Sequence, residues 1–236
     1  MKTENLKTQQ TKTADNEAKS SVDCRVIKPK VLIACEFTGK IREAFNKLGA
    51  DAWSCDLLET ENPGNHIKGN VLDILDNGWD MMIAHPPCTY LSYAATHVWS
   101  KAGRAELREQ AMSFFMQLYN APINRVCIEN PVGYPNTVFR KPDQIIHPMF
   151  FGEPIMKRTC LWLRGLPKLY HTPTDNLFVK KTHSDKVQPL YFRRSDGKAI
   201  HWTEGIHGGH ERSKTFDVVA DAMATQWMQY LANEAL

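Results

Sequence analysis

Two consecutive prolines, Pro86 and Pro87, follow the run Asp80-Met81-Met82-Ile83-Ala84 and His85, and they constrain the chain more than any other pair. Proline fixes φ at about −65° and has no N–H, so a strand formed by the apolar run must stop there. Cys88 is then held in a stiff loop at the carboxyl end of that strand. In open α/β sheets this edge is where ligands bind. A cysteine so placed acts as a nucleophile when a neighbour stabilises its thiolate. Otherwise it is a small buried hydrophobe.

The flanking sequence supplies the sheet. Val31-Leu32-Ile33-Ala34-Cys35, after Lys28-Pro29-Lys30, is a continuous apolar run of the kind that forms a central parallel strand. Gly39 then opens a segment with apolar residues at 41, 44, 45 and 48, a helical spacing closed by Gly49. Asp51-Ala52-Trp53-Ser54-Cys55 reads as a second strand with Asp56 just beyond it, completing a βαβ unit. Residues 57–70 read as loop, and Val71–Leu75 as a short element ended by Asn77-Gly78. From Ala102 to Tyr119, positions 107, 111, 114, 115 and 118 share one helical face, with Glu106, Arg108 and Glu109 opposite. Arg125-Val126-Cys127-Ile128 is a further buried strand running into Glu129-Asn130-Pro131. This alternation predicts an α/β fold with a doubly wound, mostly parallel sheet. Thr159–Leu163 reads as another strand, residues 165–213 as a mostly irregular insertion, and Phe216–Leu231 as a closing helix. The expected organisation is a polar tail over 1–28, a core over 29–164, the insertion over 165–213 and the returning helix over 214–236.

A chain of 236 residues buries one full α/β core but not two large domains. Met1 to Asp23 are polar, fitting neither a signal peptide nor a membrane span, and no apolar run approaches the roughly 20 residues of a membrane helix. The expectation is a soluble, cytoplasmic, monomeric protein with no membrane partner. The six cysteines, at 24, 35, 55, 88, 127 and 160, show no CxxC spacing. Those at 35, 55, 127 and 160 sit in apolar runs and read as buried thiols. His201, His207 and His210 match no standard zinc spacing, so no metal is expected. Net charge is +3, yet residues 151–215 hold 12 Lys and Arg against 6 Asp and Glu. That segment, carrying Lys157, Lys180, Lys181, Arg193 and Arg194, suits a polyanion such as DNA, or is an ordinary solvated face.

Strands separated by one helix usually lie side by side, so the loops after Ala84 and Ile128 should face each other and Cys88 and Glu129 should share a pocket. A protease thiolate wants a histidine base. A thiolate beside a carboxyl group instead suits an electron-poor ring whose nitrogen is protonated during attack. A pyrimidine is such a ring: thiolate adds at C6, the acid protonates N3, and C5 becomes nucleophilic enough to take a methyl group. A donor would need the other half of the crevice, where Gly39 allows close approach and Asp56 sits where acids hold ribose hydroxyls.

Pro86-Pro87-Cys88 and, 41 residues later, Glu129-Asn130-Pro131 resemble the catalytic Pro-Cys and Glu-Asn signatures of the DNA cytosine-5 methyltransferases. Ala34-Cys35-Glu36-Phe37-Thr38-Gly39 resembles their donor-binding loop, and Gly69-Asn70-Val71 their next turn, which usually has Asp at the position of Asn70. The run from Val31 to Trp227 is similar to the short members encoded by bacteriophages and prophages, where such an enzyme would act in the host cytoplasm. The resemblance implies a Rossmann-like class I methyltransferase fold and S-adenosylmethionine as donor. Glu36, Phe37 and Gly39 would hold it from one side, and Asp56, Leu57, Asn70 and Pro86 from the other. Cys88 would be the nucleophile and Glu129 the N3 proton donor, on a base extruded from the duplex. Asn130 would contact the ligand or pin the loop. Met156-Lys157-Arg158-Thr159 stands where the family has Gln-x-Arg-x-Arg, making Arg158 and Thr159 pocket residues. The glycine-rich loop is reduced to Gly39, and residues 165–213 are all that remains for target recognition. Other readings stay open: a catalytically idle protein binding DNA or donor, an enzyme of free pyrimidine nucleotides, or a methyltransferase of a base amino group.

Overall fold

The apolar runs form strands buried on both faces, because helices cover the sheet from both sides. The computed structural model describes residues 28–153, 157–170, 192–193, 199–200 and 214–234. In chain order the strands are β1 (Lys30–Ala34), β2 (Asp51–Asp56), β3 (His66–Lys68), β4 (Met81–Ala84), β5 (Arg125–Pro131), β6 (Gln144–Ile146) and β7 (Thr159–Arg164). They form one seven-stranded sheet of order β3-β2-β1-β4-β5-β7-β6. The first five are parallel to their neighbours, whereas β7 runs antiparallel between β5 and β6. This arrangement is the doubly wound, mostly parallel α/β sheet expected from the sequence.

Alternate residues of each strand serve opposite layers. Val31, Ile33, Met81 and Ile83 pack against α1 (Lys40–Lys47) and the long final helix, here α4 (Asp217–Glu234), through Phe45, Met223 and Trp227. Leu32, Ala34, Met82 and Ala84 face α2 (Arg104–Tyr119) through Phe115 and Leu118, with Trp162 of β7 beneath. Full burial of each such side chain stabilises by about 1.5–3 kcal/mol, which fixes the central strands and hence the edge where they end. A four-residue helix, α3 (Pro135–Val138), follows β5, and Val71–Ile74 is a 3-10 turn.

Several expectations are corrected. The first strand ends at Ala34; Cys35 lies beyond it, half-buried with φ 57°, instead of inside the strand. Residues 57–70 are not all loop, since β3 extends the sheet parallel to β2. The α2 face is rotated: Leu107 is 37% exposed, while the Arg108 guanidinium stacks over Trp99 at 4.6 Å and Tyr134 at 5.0 Å. In the first turns of α2, Arg104 lies over the Tyr90 ring and Arg108 over Trp99 and Tyr134. Within the insertion, β8 (Phe192–Arg193) pairs antiparallel with β9 (Ala199–Ile200). The expected tail, except Lys28, and Lys180, Lys181, Arg194, His201, His207 and His210 lie outside the described residues.

Candidate active site

Strands β1, β4 and β5 end together at the middle of one sheet edge. The β4–β5 register pairs Ala84 with Ile128, so the next residues, His85 and Glu129, stand side by side. His85 Nδ1 lies 3.2 Å from Glu129 Oε2. The His85 N–H still donates to the Ala34 carbonyl at 2.9 Å, so the strand pairing reaches His85 before the two prolines end it. Asn130, 1% exposed, donates its side-chain N–H to the Pro86 carbonyl at 2.7 Å. The loop is further closed by N–H groups of Leu91 and Ser92 on the Cys88 carbonyl and by a bridge between Ser92 and Gly133. Gly133 is required there, because a Cβ would stand 2.0 Å from the Leu91 carbonyl oxygen.

These residues line a cavity of about 400 Å³. Pro86, Cys88, Glu129 and Asn130 form one wall, Glu36 and Phe37 a second, and Lys157, Arg158 and Thr159 a third. The cavity therefore joins the ends of β1, β4 and β5 with the segment that enters β7. Thr215, just before α4, also reaches it.

The charges are coupled. Burial pushes the Glu129 carboxyl toward its neutral form, but His85, Lys157 and the Thr159 hydroxyl outweigh it and hold the group below the usual carboxylate range. Desolvation and the Glu129 charge both push the Cys88 thiol up, with Lys157 opposing. Cys88 is exposed at the cavity and is a thiol while Glu129 is ionised. The flanking cysteines are inert by comparison: burial and Asp56 raise Cys35 to about 12 and Cys55 to about 11.

On the β1 side, Glu36 is 4% exposed. Its Oε1 accepts from Thr38 Oγ1 and from the Lys40 N–H, whereas its buried Oε2 has no hydrogen-bond partner. Next to it, Gly39 has φ 73°, and a Cβ there would lie 2.5 Å from Arg42 Nη2. Arg42 is fully buried and donates to Ser54 Oγ and to the Asn62 and Pro63 carbonyls, stapling the loop after β2 to α1.

The structure does not bring every sequence candidate into this cavity. Gly39, Asp56, Leu57 and Asn70 lie outside its lining. Asp56 accepts the Leu58 N–H at 2.9 Å, Asn70 accepts that of Leu72 at 3.2 Å, and Leu57 is 72% exposed beside them. Arg193 lies on β8. Sequence reasoning gave no role to His85, which the strand register alone would have paired with Glu129. Among the described residues no group of three His, Cys, Asp or Glu is arranged to hold a metal, and no helix is long and apolar enough to cross a membrane.

No protein-family model matches the chain, and no curated protein matches it. Among solved structures, it is similar to a proposed DNA modification methyltransferase encoded within an E. coli prophage, at 14% identity and a TM-score of 0.38. That match covers 58% of this chain and 46% of the other, so the chain spans under half the length of the structure it matches.

Proposed function

We propose that this chain methylates cytosine at C5 in DNA, with S-adenosylmethionine as donor, Cys88 as nucleophile and Glu129 as the acid at N3. The observation that carries this reading is one cavity in which Cys88 and Glu129, at the ends of the adjacent parallel strands β4 and β5, meet Arg158 from the segment before β7. A thiol and a carboxyl group on one wall match the two demands of attack at pyrimidine C6, a nucleophile for carbon and a proton for nitrogen.

The donor's chemistry fits the β1 side. The buried, unpartnered Glu36 Oε2 is an acceptor for an ammonium group, as on the amino-acid end of S-adenosylmethionine. Phe37 and Pro86 supply apolar wall beside it. Asp56 and exposed Leu57 stand at the next strand end, where a ribose and a purine ring would rest, with Asn70 and Gly39 shaping the turns around them. When bound, S-adenosylmethionine supplies an electrophilic methyl group.

The chain's own residues do the rest. Asn130 holds the Pro86 carbonyl and so fixes Cys88 relative to Glu129. Cys88 releases its proton and adds to C6, and Glu129 protonates N3 in the same step. Arg158 offers a cation to the base or its flanking phosphate. Access to the ring requires the base to leave the stack. In this reading residues 165–213 are a reduced recognition segment, and Lys157, Lys180, Lys181, Arg193 and Arg194 meet phosphates.

The test is nucleoside analysis of DNA incubated with protein and donor, beside Cys88→Ser and Glu129→Gln. The reading expects 5-methylcytosine that both substitutions abolish. Donor or DNA binding without any methylated base would favour an idle binding protein. That second reading has one observation behind it: Asp56 and Asn70 already spend side-chain oxygens on backbone N–H groups.

A further inference from the structure

We propose, resting on the cytosine reading above, that His85 is the proton reservoir of Glu129: its Nδ1 feeds the carboxyl group from behind while the other carboxyl oxygen faces the base. Three observations converge on it. His85 Nδ1 and Glu129 Oε2 are 3.2 Å apart. His85 Nε2 is buried and has no hydrogen-bond partner. A second cavity of about 20 Å³, lined by His85, Glu129, Lys157, Thr159, Thr215 and five apolar residues, adjoins the pair.

The relay answers a difficulty in the site. Lys157, Thr159 and His85 keep Glu129 ionised, and a carboxylate has no proton to give. Burial first, and then the same negative charge, hold Cys88 as a thiol. One proton moved from His85 to Glu129 removes the first obstacle and eases the second. The charged and titratable groups that line the same cavity as His85 are Glu129 from β5, Lys157 and Arg158 before β7, Glu36 and Cys35 from the end of β1, and Cys88 in its own loop.

The steps balance. In the relay step, when both His85 nitrogens carry protons, the Nδ1–H bond breaks and an O–H bond forms on Glu129, leaving a neutral imidazole and a neutral acid. Cys88, its proton released to solvent, gives its electron pair to C6 as the Sγ–C6 bond forms. The ring's displaced electrons take the Glu129 proton at N3. After C5 has taken the donor's methyl group, the C5 proton leaves to solvent as the Sγ–C6 bond breaks and C5=C6 re-forms, and the N3 proton returns to Glu129 and then to His85, so the relay consumes nothing.

Tritium release from DNA carrying [5-3H]cytosine, followed against pH in the full chain, tests this. His85→Asn keeps an N–H directed at Glu129 but carries no titrating proton, and His85→Gln repeats the substitution with a longer reach. Each is expected to lose about 10²-fold in rate and the alkaline fall of the wild-type profile, with unchanged DNA and donor binding and unchanged thermal unfolding. A wild-type rate and profile in either folded variant overturns the relay and leaves the cytosine reading standing. If neither variant folds, the wild-type profile decides: an alkaline fall supports the relay, and a rate that only rises to a plateau overturns it. A wild-type protein that binds DNA and donor yet releases no tritium overturns the cytosine reading, and the relay with it.

Discussion

Asn130 and Pro86 are joined by a 2.7 Å hydrogen bond from the buried side-chain amide to the carbonyl oxygen, which makes the Cys88 loop and the Glu129 strand one rigid unit. Asn130→Ala leaves that carbonyl without its partner in a buried place and is expected to cost about 1–3 kcal/mol of stability. On the proposed function, the methylation rate should fall further than stability explains, because Cys88 and Glu129, the proposed nucleophile and acid, lose their fixed spacing. Denaturant unfolding together with single-turnover rates separates the two effects.

Gly39→Ala is expected to destabilise the protein by more than about 1 kcal/mol, since the residue sits at positive φ and the new methyl would meet Arg42. Arg42→Met should loosen the same region by a different route. It removes the donors that hold Ser54 and the Asn62 and Pro63 carbonyls, leaving the loop after β2 unstapled. Limited proteolysis between residues 57 and 65 should speed up in both variants, and donor binding should weaken in both.

The central strands were legible because each is an uninterrupted apolar run, and only a sheet covered on both faces demands that. β3 and β6 were not legible: His66–Lys68 and Gln144–Ile146 are three-residue outer strands with polar members, without a run to detect. Cys88 and Glu129 could be placed together because one helix separates β4 from β5. His85 could not be given a role without the register that sets it against Glu129. Arg42 lies on α1 with no sequence mark of its burial, because its partners, the Ser54 hydroxyl on β2 and two loop carbonyls, are 12 to 21 residues away. The room that Gly39 leaves for the Arg42 guanidinium has no mark in the sequence for the same reason.

Thiol reactivity should single out one described cysteine. Cys35 is raised to about 12, and Cys55 and Cys160 to about 11, chiefly by burial. Cys88 is exposed. Mass mapping after brief alkylation at pH 8 is expected to find Cys88 modified ahead of Cys35, Cys55, Cys127 and Cys160, with Glu129→Gln speeding its reaction.

Stability should fall at both ends of the pH scale for separate reasons. Burial opposes ionisation of Asp143, but the Arg140 ion pair at 2.7 Å and the Leu163 N–H hold its carboxyl below the ordinary 3.8. A lowered folded value stabilises above the unfolded one, and that contribution is lost as pH falls through the folded value. Asp143→Asn should therefore cost stability at pH 7 and much less at pH 2. The buried thiols work in the opposite sense: their folded values exceed the ordinary 9.0, so their contribution is intact below pH 9 and declines above it. Thermal melts of Asp143→Asn and wild type across the acid range, and of wild type from pH 8 to 11, check both.

The central claim is that Cys88 and Glu129 act together on a cytosine ring. Its most direct test is mass spectrometry of nucleosides from DNA treated with purified protein and S-adenosylmethionine, with Cys88→Ser in parallel. The account predicts 5-methylcytosine from the wild-type protein and none from Cys88→Ser. Methylated base that persists in Cys88→Ser, or none from a wild-type protein that binds both donor and DNA, would contradict it.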